Sequence, residues 1–175
     1  MDWRQGKKGQ MFSTELVLAS AIFIAAIVIF VSIWNSMLIS YLEEQKSREM
    51  QVSLIGISDM LVLTPGYPTN WEADVLGNAS AFGLAGSPNV ISPGKALALQ
   101  NLNGSYLSVK EKMGAGRFDI FLSLNNSSST FYTFGRRGDA NDSTVQILRT
   151  SRLALLNGSA VTVNMQVWRE KGRVA

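Results

Sequence analysis

The chain has neither cysteine nor histidine, which excludes disulfides, thiolate nucleophiles and thiolate or imidazole metal sites at the outset. Carboxylates, amines, hydroxyls and amides remain for chemistry, and one carboxylate stands apart. Glu15 heads 27 uncharged residues, Leu16 to Leu42, and follows a short basic leader that contains Arg4, Lys7, Lys8 and Gly9. An ionised carboxylate beside so long an apolar run is costly unless it is paired or reaches headgroup water. Glu15 is therefore the first candidate for a functional role. The carboxylates of Asp119, Asp139 and Glu170 stand in no recognisable catalytic frame, so no enzymatic activity is expected.

Other motifs carry less. Asn-x-Ser sequons at Asn78, Asn103, Asn125, Asn126, Asn141 and Asn157 all follow the apolar run and are candidate N-glycosylation sites. Arg137-Gly138-Asp139 spells an adhesion tripeptide but sits in a glycine-rich charged stretch that reads as a solvated turn. Asp139, Asn141, Asp142 and Ser143 offer oxygens without the spacing or the final Glu of a calcium loop, so no metal and no cofactor is expected. Lys110, Lys112, Arg117, Arg136 and Arg137 are interleaved with Glu111 and Asp119. The net charge of +3 owes much to the leader, so there is no electrostatic case for nucleic acid.

The element that positions Glu15 is the apolar run itself. A bilayer core takes roughly 20 apolar residues in a helix, so residues 16–42 are long enough to span it with some tilt. Lys7 and Lys8 precede the span, whereas Glu43, Glu44, Lys46, Arg48 and Glu49 nearly cancel after it. The positive-inside rule then puts the N-terminus in the cytoplasm and everything after the span outside. Met50, Leu54, Ile57 and Leu61 continue at helical spacing until Thr64-Pro65-Gly66. We read one helix within residues 10–63, from about Phe12, transmembrane to about Leu42 and roughly 78 Å long at 1.5 Å per residue.

Residues 64–175 leave room for one modest domain. Thr64 to Pro93 is rich in breakers and reads as an irregular wrap anchored by Trp71. Ser92 is expected to cap a short helix that starts at Pro93, and a second runs from Tyr106 to Met113 with Gly114 at its end. Phe118, Ile120, Leu122 and Leu124 alternate as a strand, and Thr130 to Phe134 forms another. Val145 to Leu156 and Ala160 to Trp168 flank Asn157-Gly158, a strong hairpin signal. The fold class expected is α+β, a long N-terminal helix followed by short helices and an antiparallel sheet of about four strands.

The basic leader, Gly9, the Glu soon after it and the retained apolar helix together resemble the class III signal of type IV prepilins. A secretory signal would have a shorter apolar stretch, with its cleavage site after it. Gln10, Ser13 and Glu15 are similar to the Gln-x-Ser-x-Glu pattern of the archaeal version, with one residue extra. The resemblance covers about the first 40 residues. It implies cleavage by a membrane prepilin peptidase after Gly9, leaving Gln10 first and Glu15 sixth. A cut after Gln10, leaving Met11 first, restores the fifth position usual in the family.

By the same resemblance, residues 1–9 are a cytoplasmic leader and residues 64–175 an extracellular pilin-like head, with a ladle shape for the whole. The partners implied are the peptidase, other pilin subunits, and the membrane through residues 16–42. Glu15 would sit near the new N-terminal ammonium of a neighbouring subunit in a surface filament used for adhesion. The competing expectation is a single-pass, signal-anchored extracellular binding or envelope domain that is neither processed nor polymerised.

Overall fold

The computed structural model describes residues 6–73, 79–126 and 129–171, with side chains from residue 14 onward. Helix α1 spans Gly6–Leu63. No glycine or proline interrupts it between Gln10 and Ile55, and it stops where Pro65 pushes Thr64 out of helical geometry. The chain clusters into two compact units, Met1–Lys46 and Ser47–Ala175, and every strand belongs to the second. A long N-terminal apolar helix followed by a sheet-rich domain is therefore the architecture.

After α1 come β1 (Gly66–Tyr67), β2 (Ala81–Phe82), β3 (Ala85–Ser87) and β4 (Val90–Ile91). Then follow α2 (Pro93–Asn101), a 3-10 turn (Leu102–Ser105) and α3 (Tyr106–Lys112). The chain closes with β5 (Asp119–Asn125), β6 (Thr130–Gly135), β7 (Val145–Leu156) and β8 (Ser159–Glu170). The main sheet has six strands in the order β3-β4-β7-β8-β5-β6, and β1 pairs separately with β2. About four antiparallel strands were expected, so the count is corrected to six. The sheet is also mixed, because β4 runs parallel to β7 through Val90 opposite Leu155 and Ile91 opposite Leu156.

The strands that were missed explain the difference. β3 and β4 have three and two residues, too few for alternation to register as a pattern. The wrap between Thr64 and Pro93 is thus not irregular, since four short strands lie in it. A second correction concerns Ser92. It precedes α2 with extended backbone, but its side chain makes no capping hydrogen bond, and Pro93 alone sets the start.

The β7–β8 hairpin forms as its turn chemistry demands. Asn157 and Gly158 both have positive φ, 52° and 79°, the geometry of a two-residue turn whose twist matches the strands. Leu156 then pairs with Ser159, and the register runs without a slip to Val145 opposite Glu170. On β8 the side chains of Val161, Val163, Met165 and Val167 are buried. Ile120, Leu122 and Leu124 of β5 join them, as do Met50, Leu54, Ile57 and Leu61 of α1.

Burying those four α1 side chains contributes roughly 1.5–3 kcal/mol each as an upper estimate. The ion pairs beside them, Arg117 with Glu49 and Arg152 with Asp59, are substantially exposed. Such pairs are worth about 0–1 kcal/mol. Apolar burial, and not charge, fastens Ser47–Leu63 to the sheet.

The end of α1 is closed by the chain that returns after β2. Helix ends leave carbonyls without intrahelical donors. Here Leu84 N–H donates to the Leu61 carbonyl at 2.9 Å, Asn89 N–H to that of Val62 at 2.9 Å, and Ala85 N–H to that of Thr64 at 3.2 Å. So close an approach needs a glycine. A Cβ at Gly83 would stand 2.1 Å from the Thr64 oxygen and 2.4 Å from the Gly66 nitrogen, both of them backbone atoms. We expect Gly83→Ala to lower unfolding free energy by at least about 2 kcal/mol, as strain and lost capping at a buried junction do. Denaturant titration of the full chain in detergent checks this, and Gly104→Ala, where an added Cβ meets open space, serves as the neutral control.

Candidate functional site

The first turns of α1 carry the processing candidates. The backbone of Lys7, Lys8, Gly9, Gln10 and Met11 is helical, and their side chains lie outside the described residues. Gly9 costs the helix about 1 kcal/mol relative to alanine at that position. Glu15 is exposed on the second turn after Gly9 and has no partner among the described residues.

From Leu16 to Leu42 every side chain is exposed, on all sides of the helix. Phe23 and Phe30 are each about two-thirds accessible. The helix that carries this segment, Thr14–Leu63, is long and apolar enough to cross a membrane. One long apolar helix near the N-terminus can thus anchor the chain in a membrane. Its few polar groups are treated unequally. Ser32, Ser36 and Ser40 donate their hydroxyls to the carbonyls four residues back, at 2.8, 3.0 and 3.0 Å. Asn35, which the sequence reading did not single out, has no such partner among the described residues. Its signal was an amide within an otherwise apolar stretch.

The sequons separate once side chains are placed. Asn78 lies outside the described residues. Asn103 is exposed but engaged: its Nδ2 donates to the Gln100 carbonyl at 3.0 Å and the Thr133 carbonyl at 3.3 Å. Its Oδ1 accepts from Gly135 N–H at 2.8 Å, which stitches the 3-10 turn to β6. The Oδ1 of Asn125 is buried at the end of β5, and that of Asn126 accepts from Ser129 N–H at 2.8 Å. Asn141 sits in an exposed loop and Asn157 at the exposed tip of the β7–β8 hairpin.

Arg137-Gly138-Asp139 does not form a free tip. Gly138 is buried against the Trp168 ring, where an added Cβ would be 2.8 Å from Cγ. Trp168 Nε1–H holds the strand end by donating to the Arg136 carbonyl at 2.7 Å. The carboxylates of the neighbouring loop are occupied by turns. Asp139 Oδ1 accepts from Asn141 N–H at 2.9 Å, and Asp142 Oδ1 accepts from Thr144 N–H at 2.8 Å and Thr144 Oγ1 at 2.6 Å. Those hydrogen bonds from Thr144 hold the Asp142 carboxyl below its usual pKa.

The basic residues disperse in the same way. Lys110 pairs with Asp119 at 3.3 Å, Arg117 with Glu49, and Arg136 lies over the Tyr106 ring at 5.1 Å. Tyr106 donates to Asp119 at 2.7 Å, and burial pushes its pKa above the usual tyrosine value.

No family model, no curated protein and no solved structure matches this chain.

The geometry predicts which sequons are used when the chain is made in cells that N-glycosylate. A glycan on Asn103 would replace an amide hydrogen in a nitrogen that serves two carbonyls, whereas Asn141 and Asn157 are open. Glycopeptide mass spectrometry should find modification at Asn141 or Asn157 and little at Asn103. Asn103→Gln should cost about 1 kcal/mol of stability through the lost stitch to β6, read by thermal melting.

Proposed function

We propose that the chain is a type IV pilin-like subunit, inserted with its N-terminus in the cytoplasm, cut by a prepilin peptidase and polymerised through α1 into a surface filament for adhesion. The observation that carries this reading is Glu15: a lone, exposed carboxylate at the head of a helix apolar on every side, one turn and a half after the Lys7-Lys8-Gly9 leader. A helix uniformly coated in large apolar groups has no single face committed to its own domain. It can exchange lipid for neighbouring helices around its whole circumference. Asn35 gives such a bundle one amide that gains by finding a partner in an apolar medium.

In this mechanism cleavage creates an ammonium at Gln10 or Met11, and Glu15 of an adjacent subunit pairs with it. The pair offsets the cost of burying either charge alone. Repetition of a head-to-tail contact that does not close yields a filament and not a ring. The sheet domain is then displayed outside the cell.

The test is the N-terminal sequence of the protein recovered from its native membrane, with and without Gly9→Val. A chain that begins at Gln10 or Met11, and is uncut in the variant, is the expected result. A chain that begins at Met1 or Asp2 in both leaves a signal-anchored surface domain in its place.

Glu15→Gln separates processing from assembly. It should be cut at near the normal rate but give at least about tenfold fewer filaments by electron microscopy, since one buried charge is left unpaired. Normal filament numbers from this variant would remove the pairing role.

A further inference from the structure

On β8 the side chains of Val161, Val163, Met165 and Val167 enter the core, so those of Gln166 and Trp168 stand on the opposite face of the sheet. Their partners on β7, Arg149 and Ile147, share that face. The loop after β6 settles there through Gly138, where an added Cβ would be 2.8 Å from Trp168 Cγ and 3.1 Å from Ile147 Cδ1. Only a residue without a side chain lets the backbone come so close to the indole. Its neighbours Arg137 and Asp139, with Asn141, then line one open cleft of about 380 Å³ together with Arg149.

The backbone around this cleft is held in place. Arg136 N–H donates to the Ile120 carbonyl at 2.8 Å, and the Arg136 carbonyl accepts from Trp168 Nε1–H at 2.7 Å. Val145 N–H closes the loop by donating to the Asp142 carbonyl at 3.1 Å. The side chains are less committed. Lys110, Arg117 and Arg152 each pair with a carboxylate, whereas Arg137 and Arg149 have no such partner among the described residues. Two guanidinium groups from different elements thus face one cleft, an arrangement that repels itself and favours an anion between them. Asp139 pairs with neither. Its Oδ1 accepts from Asn141 N–H at 2.9 Å, and its Oδ2 and the side-chain amide of Asn141 have no partner among the described residues.

We propose that this cleft binds a uronic acid unit, a sugar ring that carries one carboxylate. The carboxylate lies between Arg137 and Arg149, in the planar pairing that guanidinium groups favour. The ring hydroxyls donate to Asp139 Oδ2 and exchange hydrogen bonds with the Asn141 amide. Charge selects the class. Two arginines and one aspartate leave a single positive charge, which one carboxylate matches. A phosphate dianion exceeds it and is repelled by Asp139, and a neutral sugar leaves both guanidinium groups without a counterion. The volume falls within the roughly 300–1,000 Å³ of small-molecule sites. The site is independent of the N-terminal reading, because it needs neither cleavage nor a filament.

The test is calorimetric titration of the full-length chain in detergent, made in cells that do not N-glycosylate so that Asn141 is bare. The probes are galacturonic acid, a short oligogalacturonate, galactose and inorganic phosphate. The acid or its oligomer should bind at least about tenfold more tightly than galactose or phosphate. Arg137→Gln and Arg149→Gln, both at exposed positions that the fold tolerates, should each weaken that binding about tenfold, as loss of a charged hydrogen bond does. Lys112→Gln removes the same charge from α3 and should leave it unchanged. Asp139→Ala should weaken binding of the uronate but not of phosphate. Equal affinity for the free acid and the oligomer identifies a free sugar acid as the source, and tighter binding of the oligomer a polysaccharide; both uphold the site. Failure of both uronates to bind, phosphate or galactose binding as tightly as they do, or an unaltered affinity in Arg149→Gln would each overturn it.

Discussion

Everything after Leu63 depends on how the last turn of α1 disposes of its carbonyl groups. Those of Leu61, Val62 and Thr64 are satisfied by Leu84, Asn89 and Ala85, more than twenty residues later. That choice forces the chain to return at once to the helix it has just left. The return lays down β1 and β2 as a short pair, with Gly66 and Gly83 touching because neither carries a side chain. It also delivers β4 beside β7, with β3 on its outer side, and the β4–β7 pair is parallel.

The junction is held from inside by two large side chains and one buried amine. Trp71 is fully buried, donates Nε1–H to the Gly83 carbonyl at 2.9 Å, and meets Phe82 edge to face with ring centres 5.0 Å apart. Lys95, 4 % accessible, reaches from α2 to donate to the carbonyls of Pro65 and Thr69 at 2.6 and 2.7 Å. Burial lowers its pKa, opposed by the nearby Glu72 carboxylate. A hydrophobic residue of similar volume would remove the donor that both carbonyls share. The turn after the helix, the wrap and α2 thus form one mutually dependent joint.

Much of this was legible in the residues, and what was not has a physical reason. The α1 stripe of Met50, Leu54, Ile57 and Leu61 and the β8 set of Val161, Val163, Met165 and Val167 repeat long enough for their periods to show. Asn157-Gly158 has a local conformational requirement that few other pairs meet. Trp71 stood out as an anchor because a large aromatic amid breakers has little else to do. β3 and β4, by contrast, exist only because the helix carbonyls and β7 hold them, a tertiary cause that leaves no local trace. The same holds for Asn103, whose hydrogen bonds reach 30 and 32 residues along the chain, and for Gly138, which looked like a loop glycine and is packed on an indole. For the N-terminal candidates the residue types and spacing are the whole of the signal.

The division of labour along α1 follows from where the core begins. Every buried residue of the hydrophobic core lies at or beyond Met50, and none comes from the apolar run. The run holds many of the large apolar side chains that are exposed among the described residues. A helix used to brace its domain would keep one face buried and could not change neighbours without disturbing the core. In the filament proposed above, residues 16–42 would exchange lipid for other helices while the core from Met50 onward keeps its own contacts. Such a segment is limited by what surrounds it and not by the fold it belongs to. The few polar groups it carries, Glu15 at its head and Asn35 within it, then have the most influence over which surroundings it prefers.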